Sequence, residues 1–167
     1  GCPGGIFVHA KFAGFYGNRF AGWWGQNKET RFLMEPNFTP IIGAEGWQIS
    51  NPPIFSMASL RASMEIIDEV GMEALREKSE KLTGFLEFLL NETTPEIEII
   101  TPSNPSERGC QLSISIPENA RKIFNSLRKD GFIVDWRTPR VIRVAPKPLY
   151  NTFTEVWDFV SQLKSLM

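Results

Sequence analysis

Residues 110–116 read Cys110-Gln111-Leu112-Ser113-Ile114-Ser115-Ile116, with an apolar residue at every second position and an amide or hydroxyl between. A period of two marks a strand with one dry face and one wet face. Upstream, Ile97-Glu98-Ile99-Ile100-Thr101 is rich in β-branched residues and alternates in the same way, predicting a second strand. Downstream, residues 118–129 place Ile123, Phe124 and Leu127 on one helical face, and Asp130-Gly131 supplies the stop. Residues 132–136 and 141–144 form two more strands joined by Arg137-Thr138-Pro139-Arg140. Thr152 and Glu155 make a capping box, opening a last helix with inward positions Phe153, Val156, Val160, Leu163 and Met167. From residue 97 the order is β-β-α-β-β-α, which predicts an α+β domain: an antiparallel sheet with helices on one face.

Ahead of that region lie two helices. Asn51-Pro52-Pro53 combines a favoured N-cap residue with prolines suited to a first helical turn. Met57, Leu60, Met64 and Ile67 then mark an apolar face over a helix assigned to 51–70. Gly71 interrupts it, and Leu75, Leu82, Leu86 and Leu89 restart a helix from 72 to about 91. Each such leucine contributes roughly 1.5–3 kcal/mol when buried, so these faces require a covering sheet or helix. Residues 6–9 read as a short buried strand. Residues 10–50 are rich in glycine and aromatics without a steady period, so they predict loops with at most a short helical or strand segment. A loop-rich stretch of that length points to function or to packing on a partner. The chain is thus divided into 1–50, a linking helix at 51–70, and an α+β domain at 71–167.

Composition excludes several classes of function. Net charge is −1 and no basic block occurs, so nucleic acid and anionic membranes are not indicated as partners. No run of eighteen apolar residues suggests a membrane span. Cys2 and Cys110 are the only cysteines and read as reduced and cytosolic. A single histidine, His9, argues against a His-built metal site. The opening Gly1-Cys2-Pro3-Gly4-Gly5 reads as a chain entered in mid-domain.

Three groups could carry chemistry. Trp23-Trp24, bracketed by Gly22 and Gly25, reads either as packed loop aromatics or as an indole donor brought close to an anion by glycine backbone. Ser50-Asn51-Pro52-Pro53 is either a plain helix cap or an anion site at a helix N-terminus. Arg143 sits mid-strand in Val141-Ile142-Arg143-Val144-Ala145. It is either solvent-facing or a buried guanidinium gripping a carboxylate through two bonds. Cys110 reads as a small buried hydrophobe rather than a nucleophile, and His9 as structural.

Taken together, Gly22-Trp23-Trp24-Gly25, Thr30-Arg31-Phe32, Ile49-Ser50-Asn51-Pro52-Pro53, Leu82-Thr83-Gly84-Phe85-Leu86-Glu87, Ile100-Thr101-Pro102-Ser103, Arg108-Gly109-Cys110-Gln111-Leu112 and Ile142-Arg143-Val144-Ala145-Pro146, running on to Pro148-Leu149-Tyr150-Asn151, resemble the kynureninase family. That family is a branch of the fold-type-I pyridoxal-phosphate enzymes. The resemblance implies the C-terminal small domain of such an enzyme plus the tail of its large domain. It implies hydrolysis of L-kynurenine or 3-hydroxykynurenine to an anthranilate and L-alanine, with pyridoxal 5'-phosphate as cofactor, in a cytoplasmic homodimer whose sites are shared across subunits. By matched position, Trp23 and Asn51 bind the cofactor phosphate, Ser50 and Asn51 lie near the substrate ring, and Arg143 clamps the substrate α-carboxylate.

The chain also departs from the family. The Schiff-base lysine is expected just upstream of the segment matching Gly1 to Gly5, and Lys11, Lys28 and Lys147 do not replace it. Gln26 stands where a histidine is often found. The chain alone is therefore expected to be inactive. Two other readings stay open: another fold-type-I enzyme such as a cysteine desulfurase or aminotransferase, and a free-standing α+β interaction domain with an aromatic surface.

Overall fold

The structure is a computed structural model describing residues 3–167; Cys2, read as a reduced thiol, lies outside the described residues. Two compact units form, one ending at Ile67 and one spanning Asp68–Met167.

The first unit is mostly loop. It holds short 3-10 helices at Ala10–Phe12, Trp23–Gly25 and Ala44–Trp47 and an isolated bridge between Gln26 and Pro40. The strand predicted at residues 6–9 does not form: Ile6 and Phe7 are 61% and 88% exposed. A strand exists only through its ladder, and among the described residues no segment pairs with this one. His9 instead caps the first 3-10 helix, its Nδ1 accepting from the Lys11 N–H at 3.1 Å.

Helix α1 spans Ile54–Val70, so Asn51 lies outside it and does not act as the predicted N-cap. The Pro53 carbonyl instead accepts the Met57 N–H at 2.9 Å. No α1 residue is buried, and Met57 and Met64 of the predicted inward face are exposed. Helical period identifies an apolar face but not what covers it. Gly71 separates α1 from α2 (Met72–Thr93) with a φ of +82°, a conformation glycine adopts without strain.

The second unit contains α2, β1 (Glu98–Ile99), β2 (Leu112–Ser115), α3 (Ala120–Lys129), β3 (Asp135–Arg137), β4 (Val141–Val144) and α4 (Phe153–Leu166). All pairings are antiparallel, in the order β1-β2-β4-β3. Leu112 pairs with Val144 and Ile114 with Ile142, and these four join α2, α3 and α4 in one core. All three helices therefore pack on the same face of the sheet. The α+β architecture is as the alternation predicts.

The differences are local. β1 is shorter than 97–101, because the Thr101 hydroxyl rather than a backbone carbonyl accepts the Ser113 N–H at 2.8 Å. β3 begins at Asp135, since residues 131 and 132 are still closing α3: Gly131 N–H reaches Arg128 O, and Phe132 N–H reaches Leu127 O. The Thr152–Glu155 capping box forms as predicted. The buried residues of α4 are Val156, Phe159, Val160 and Leu163; Phe153 and Met167, predicted inward, are largely exposed at its ends.

A buried ion pair ties the loop before β2 to α2. Arg108, with its side chain 2% exposed, meets Glu87 at 2.6 Å and donates to Pro102 O at 3.1 Å. Arg76 of α2 donates to Arg108 O and Pro105 O. Removing Glu87 leaves the buried Arg108 guanidinium without its counter-charge. Glu87→Ala should therefore lower the unfolding free energy of the chain by roughly 3–5 kcal/mol in urea titrations followed by circular dichroism. A loss under about 1 kcal/mol, the range of a surface pair, would contradict this placement.

Candidate functional site

Strand alternation sets the environment of Arg143. Ile142 and Val144 are buried beneath the helices, so Arg143 projects from the opposite face, where it stands opposite Ser113 of β2 and Asp135 of β3. Its side chain is 35% exposed, neither in bulk solvent nor enclosed. The Asp135 Oδ2 accepts from the Arg143 Nε at 2.8 Å and from its Nη2. Arg137 Nη2 approaches the same oxygen at 3.0 Å. Asp135 is the residue that sequence reasoning missed. An Asp two positions before an Arg on one arm of a hairpin, with an Arg on the other arm, was the available signal.

The hydrogen bond from Arg143, with smaller help from the Arg137 charge, holds the Asp135 carboxyl below the ordinary carboxylate range. A depressed folded-state pKa adds stability that is present above the unfolded value and lost as pH falls through the folded one. Carboxyl-carbon NMR should find Asp135 titrating below a free aspartate, and Arg143→Ala should raise its midpoint. An unchanged midpoint in that variant would show that the pair does not persist in solution.

In the first unit, backbone contacts position Trp23. A Cβ on Gly22 would stand 2.2 Å from both the Cα and the carbonyl oxygen of Ile49. One on Gly25 would stand 2.6 Å from Gly46 O, and one on Gly46 would stand 2.1 Å from Ile41 O. These glycines let the Trp23–Gly25 turn lie against the chain leading into Ser50 and Asn51. Trp24 meets Trp23 edge-on at 5.2 Å, and Phe32 lies 5.6 Å from Trp23. The Arg31 guanidinium sits 4.4 Å over Trp24 and donates to Trp24 O at 2.6 Å. Gln26 is buried and bridges the loop, donating to the Thr30 hydroxyl at 3.0 Å and accepting from the Thr39 N–H at 2.8 Å.

The structure thus brings the Trp23 turn and the Ile49–Ser50 segment together through backbone packing. Trp23 is partly exposed, and Ser50 and Asn51 are exposed. Among the described residues, none of their side chains is engaged in a hydrogen bond within the chain. The Trp23 indole N–H and the Asn51 amide are hydrogen-bond donors of the kind an anion such as a phosphate accepts from. Gly22→Ala should disturb the near-ultraviolet circular dichroism of the Trp23–Trp24 pair, whereas Gly14→Ala, whose Cβ would meet open space, should not. Equal spectra for the two variants would contradict the close approach.

Two further features lie in the second unit. Lys147 Nζ reaches the half-buried Cys110 Sγ at 3.4 Å. A cleft of about 510 Å³ opens between the segment after α3, the end of β4 and α4, lined by Phe132, Val134, Ala145, Tyr150, Val156 and Phe159 among others. Arg143 does not line it.

A four-stranded antiparallel sheet with helices on one face is the small-domain architecture of fold-type-I pyridoxal-phosphate enzymes. The chain superposes on the cystine C–S lyase C-DES, a mutant solved with glycine covalently linked to its PLP cofactor, with a TM-score of 0.75 at 17% identity, over 94% of this chain and 40% of that one. It superposes on the apo cysteine desulfurase of Thermococcus onnurineus with a TM-score of 0.73 at 16% identity, over 93% of this chain and 40% of that one.

Residues 75–163 match the family model described as the kynureninase C-terminal domain, and the chain belongs to that family. It is 49% identical to the kynureninase of Xanthomonas euvesicatoria over 99% of its length, and 52% identical to that of Koribacter versatilis over 97%. It spans 40% and 39% of those two proteins, so about two-fifths of the curated relatives it matches.

Proposed function

We propose that the protein carrying this chain hydrolyses L-kynurenine or 3-hydroxykynurenine to the corresponding anthranilate and L-alanine, in the breakdown of tryptophan. The observation that carries this reading is Arg143, half-buried on the sheet face opposite the helices with its guanidinium fixed at one edge. A guanidinium held in that way suits bidentate binding of an amino-acid carboxylate. Pyridoxal 5'-phosphate, when bound, supplies the electron sink for cleavage beside the side-chain ketone.

The chain's own residues bind and orient. Arg143 takes the substrate α-carboxylate, fixing the amino-acid end of the molecule. Trp23 and Asn51 donate to the cofactor phosphate. Ser50 and Asn51 flank the substrate's aromatic ring, where the Asn51 amide can pair with a 3-hydroxyl and so favour the hydroxylated substrate. The working form in this reading is a cytoplasmic homodimer with residues of one subunit serving the other's site. The chain spans about two-fifths of the length of those kynureninases, so the activity proposed is that of the complete protein. The identities of 49% and 52% to kynureninases support this reading over a desulfurase or aminotransferase, to which the likeness is one of fold.

The test is release of anthranilate from kynurenine by the complete protein, followed by fluorescence. Hydrogen bonds to charged groups are worth roughly 1.5–3 kcal/mol each, so Arg143→Ala should raise KM at least tenfold with a stable fold. Transamination or sulfur release without anthranilate formation would overturn the reading. So would an Arg143→Ala enzyme with wild-type KM.

A further inference from the structure

A guanidinium carries five N–H donors, and their use on Arg143 is uneven. Nε and one side of Nη2 are taken by the Asp135 carboxylate. Among the described residues Nη1 makes no hydrogen bond. The parallel pair formed by Nη1 and the outer hydrogen of Nη2 is the end-on fork of the guanidinium, and it is left open. Asp135 and Arg143 are direct cross-strand partners, so β3 and β4 fix their separation. Arg137 holds the same Asp135 oxygen from the other side. The three side chains form a row of two cations and one anion, with one positive charge to spare.

We infer that Asp135 is the positioning residue for carboxylate binding: it occupies the side edge of Arg143 so that an incoming monocarboxylate docks on the end-on fork, with Arg137 holding Asp135 in place. The inference deepens the reading of Arg143 as the substrate-carboxylate grip and rests on it. A long arginine side chain otherwise loses much rotamer freedom when it binds a ligand. Here the pair inside the protein removes that freedom before the ligand arrives, leaving the geometry of a planar two-bond contact. Asp135 does not touch the substrate.

The test separates carboxylate recognition from general stability. Binding of L-alanine and of L-alaninamide to the cofactor-loaded complete protein is titrated by the change in cofactor absorbance, with no turnover. Alaninamide lacks the carboxylate, and the effect of its more acidic amine is common to wild type and variants, so it cancels when they are compared. Asp135→Ala should weaken L-alanine about tenfold and alaninamide by less than about twofold, the difference expected when one charge-assisted contact loses its geometry. Asp135→Asn keeps an acceptor of the same shape and should fall between Asp135→Ala and the wild type. It also serves if the alanine variant fails to fold. Equal weakening of both ligands, or of neither, overturns the inference. Arg143→Ala tells this apart from failure of the underlying reading. If that variant abolishes the preference for L-alanine while Asp135→Ala does not, only the role of Asp135 falls. If Arg143→Ala also keeps the preference, the carboxylate grip itself is wrong.

Discussion

Ile142 and Val144 are buried beneath the helices, and side chains of a strand alternate in direction, so Arg143 between them can occupy only the opposite face. The same alternation in β2 and β3 puts Ser113 and Asp135 beside it. Folding the core and placing the guanidinium are therefore one event. Slipping β4 by one residue would send Arg143 into the core and the two aliphatic side chains into water, which the apolar packing of Leu112, Ile114 and Leu127 strongly disfavours. The hydrophobic core fixes the register, and the register fixes the polar row.

The first unit positions its groups differently. It has little regular structure and no comparable core, and its order comes from backbone meeting backbone where glycine leaves room. Gly22 against Ile49, Gly25 against Gly46 and Gly46 against Ile41 draw three loop segments together by close backbone approach. The Arg31 guanidinium over Trp24 and the two-ended bridge of Gln26 then hold the aromatic turn. Gln26 is a buried structural link in this chain.

Much of the second unit was legible because its signals are strong and local. The alternation of residues 110–116 and 141–144, the 3.6-residue spacing of Leu75, Leu82 and Leu86, and the Thr152–Glu155 box each describe contacts set within a few residues. Phe159 was missed because the stepping from Val156 to Val160 passes over it, although a buried helix face is wide enough to include both. Among the described residues, 6–9 have strand composition but no partner, and the apolar stripe of α1 is not buried; linear spacing is silent on both points. The links between Asp135 and Arg143 and between Glu87 and Arg108 depend on register and on how the loop before β2 folds back onto α2. Each residue stood in the sequence, but the pairing did not. The roles of Trp23, Ser50 and Asn51 came from resemblance to a family, since an indole, a hydroxyl and an amide in loops could equally serve packing and capping.

The central claim is that the alternation of β4 presents a half-fixed guanidinium to a carboxylate. A crystal structure of the complete protein with cofactor and an unreactive substrate analogue tests it directly. The account predicts the analogue's α-carboxylate bound by Nη1 and Nη2 of Arg143 at roughly 2.7–2.9 Å, the range of charge-assisted bonds, with Asp135 still on Nε. A carboxylate held by other residues, with Arg143 turned to solvent, would contradict it.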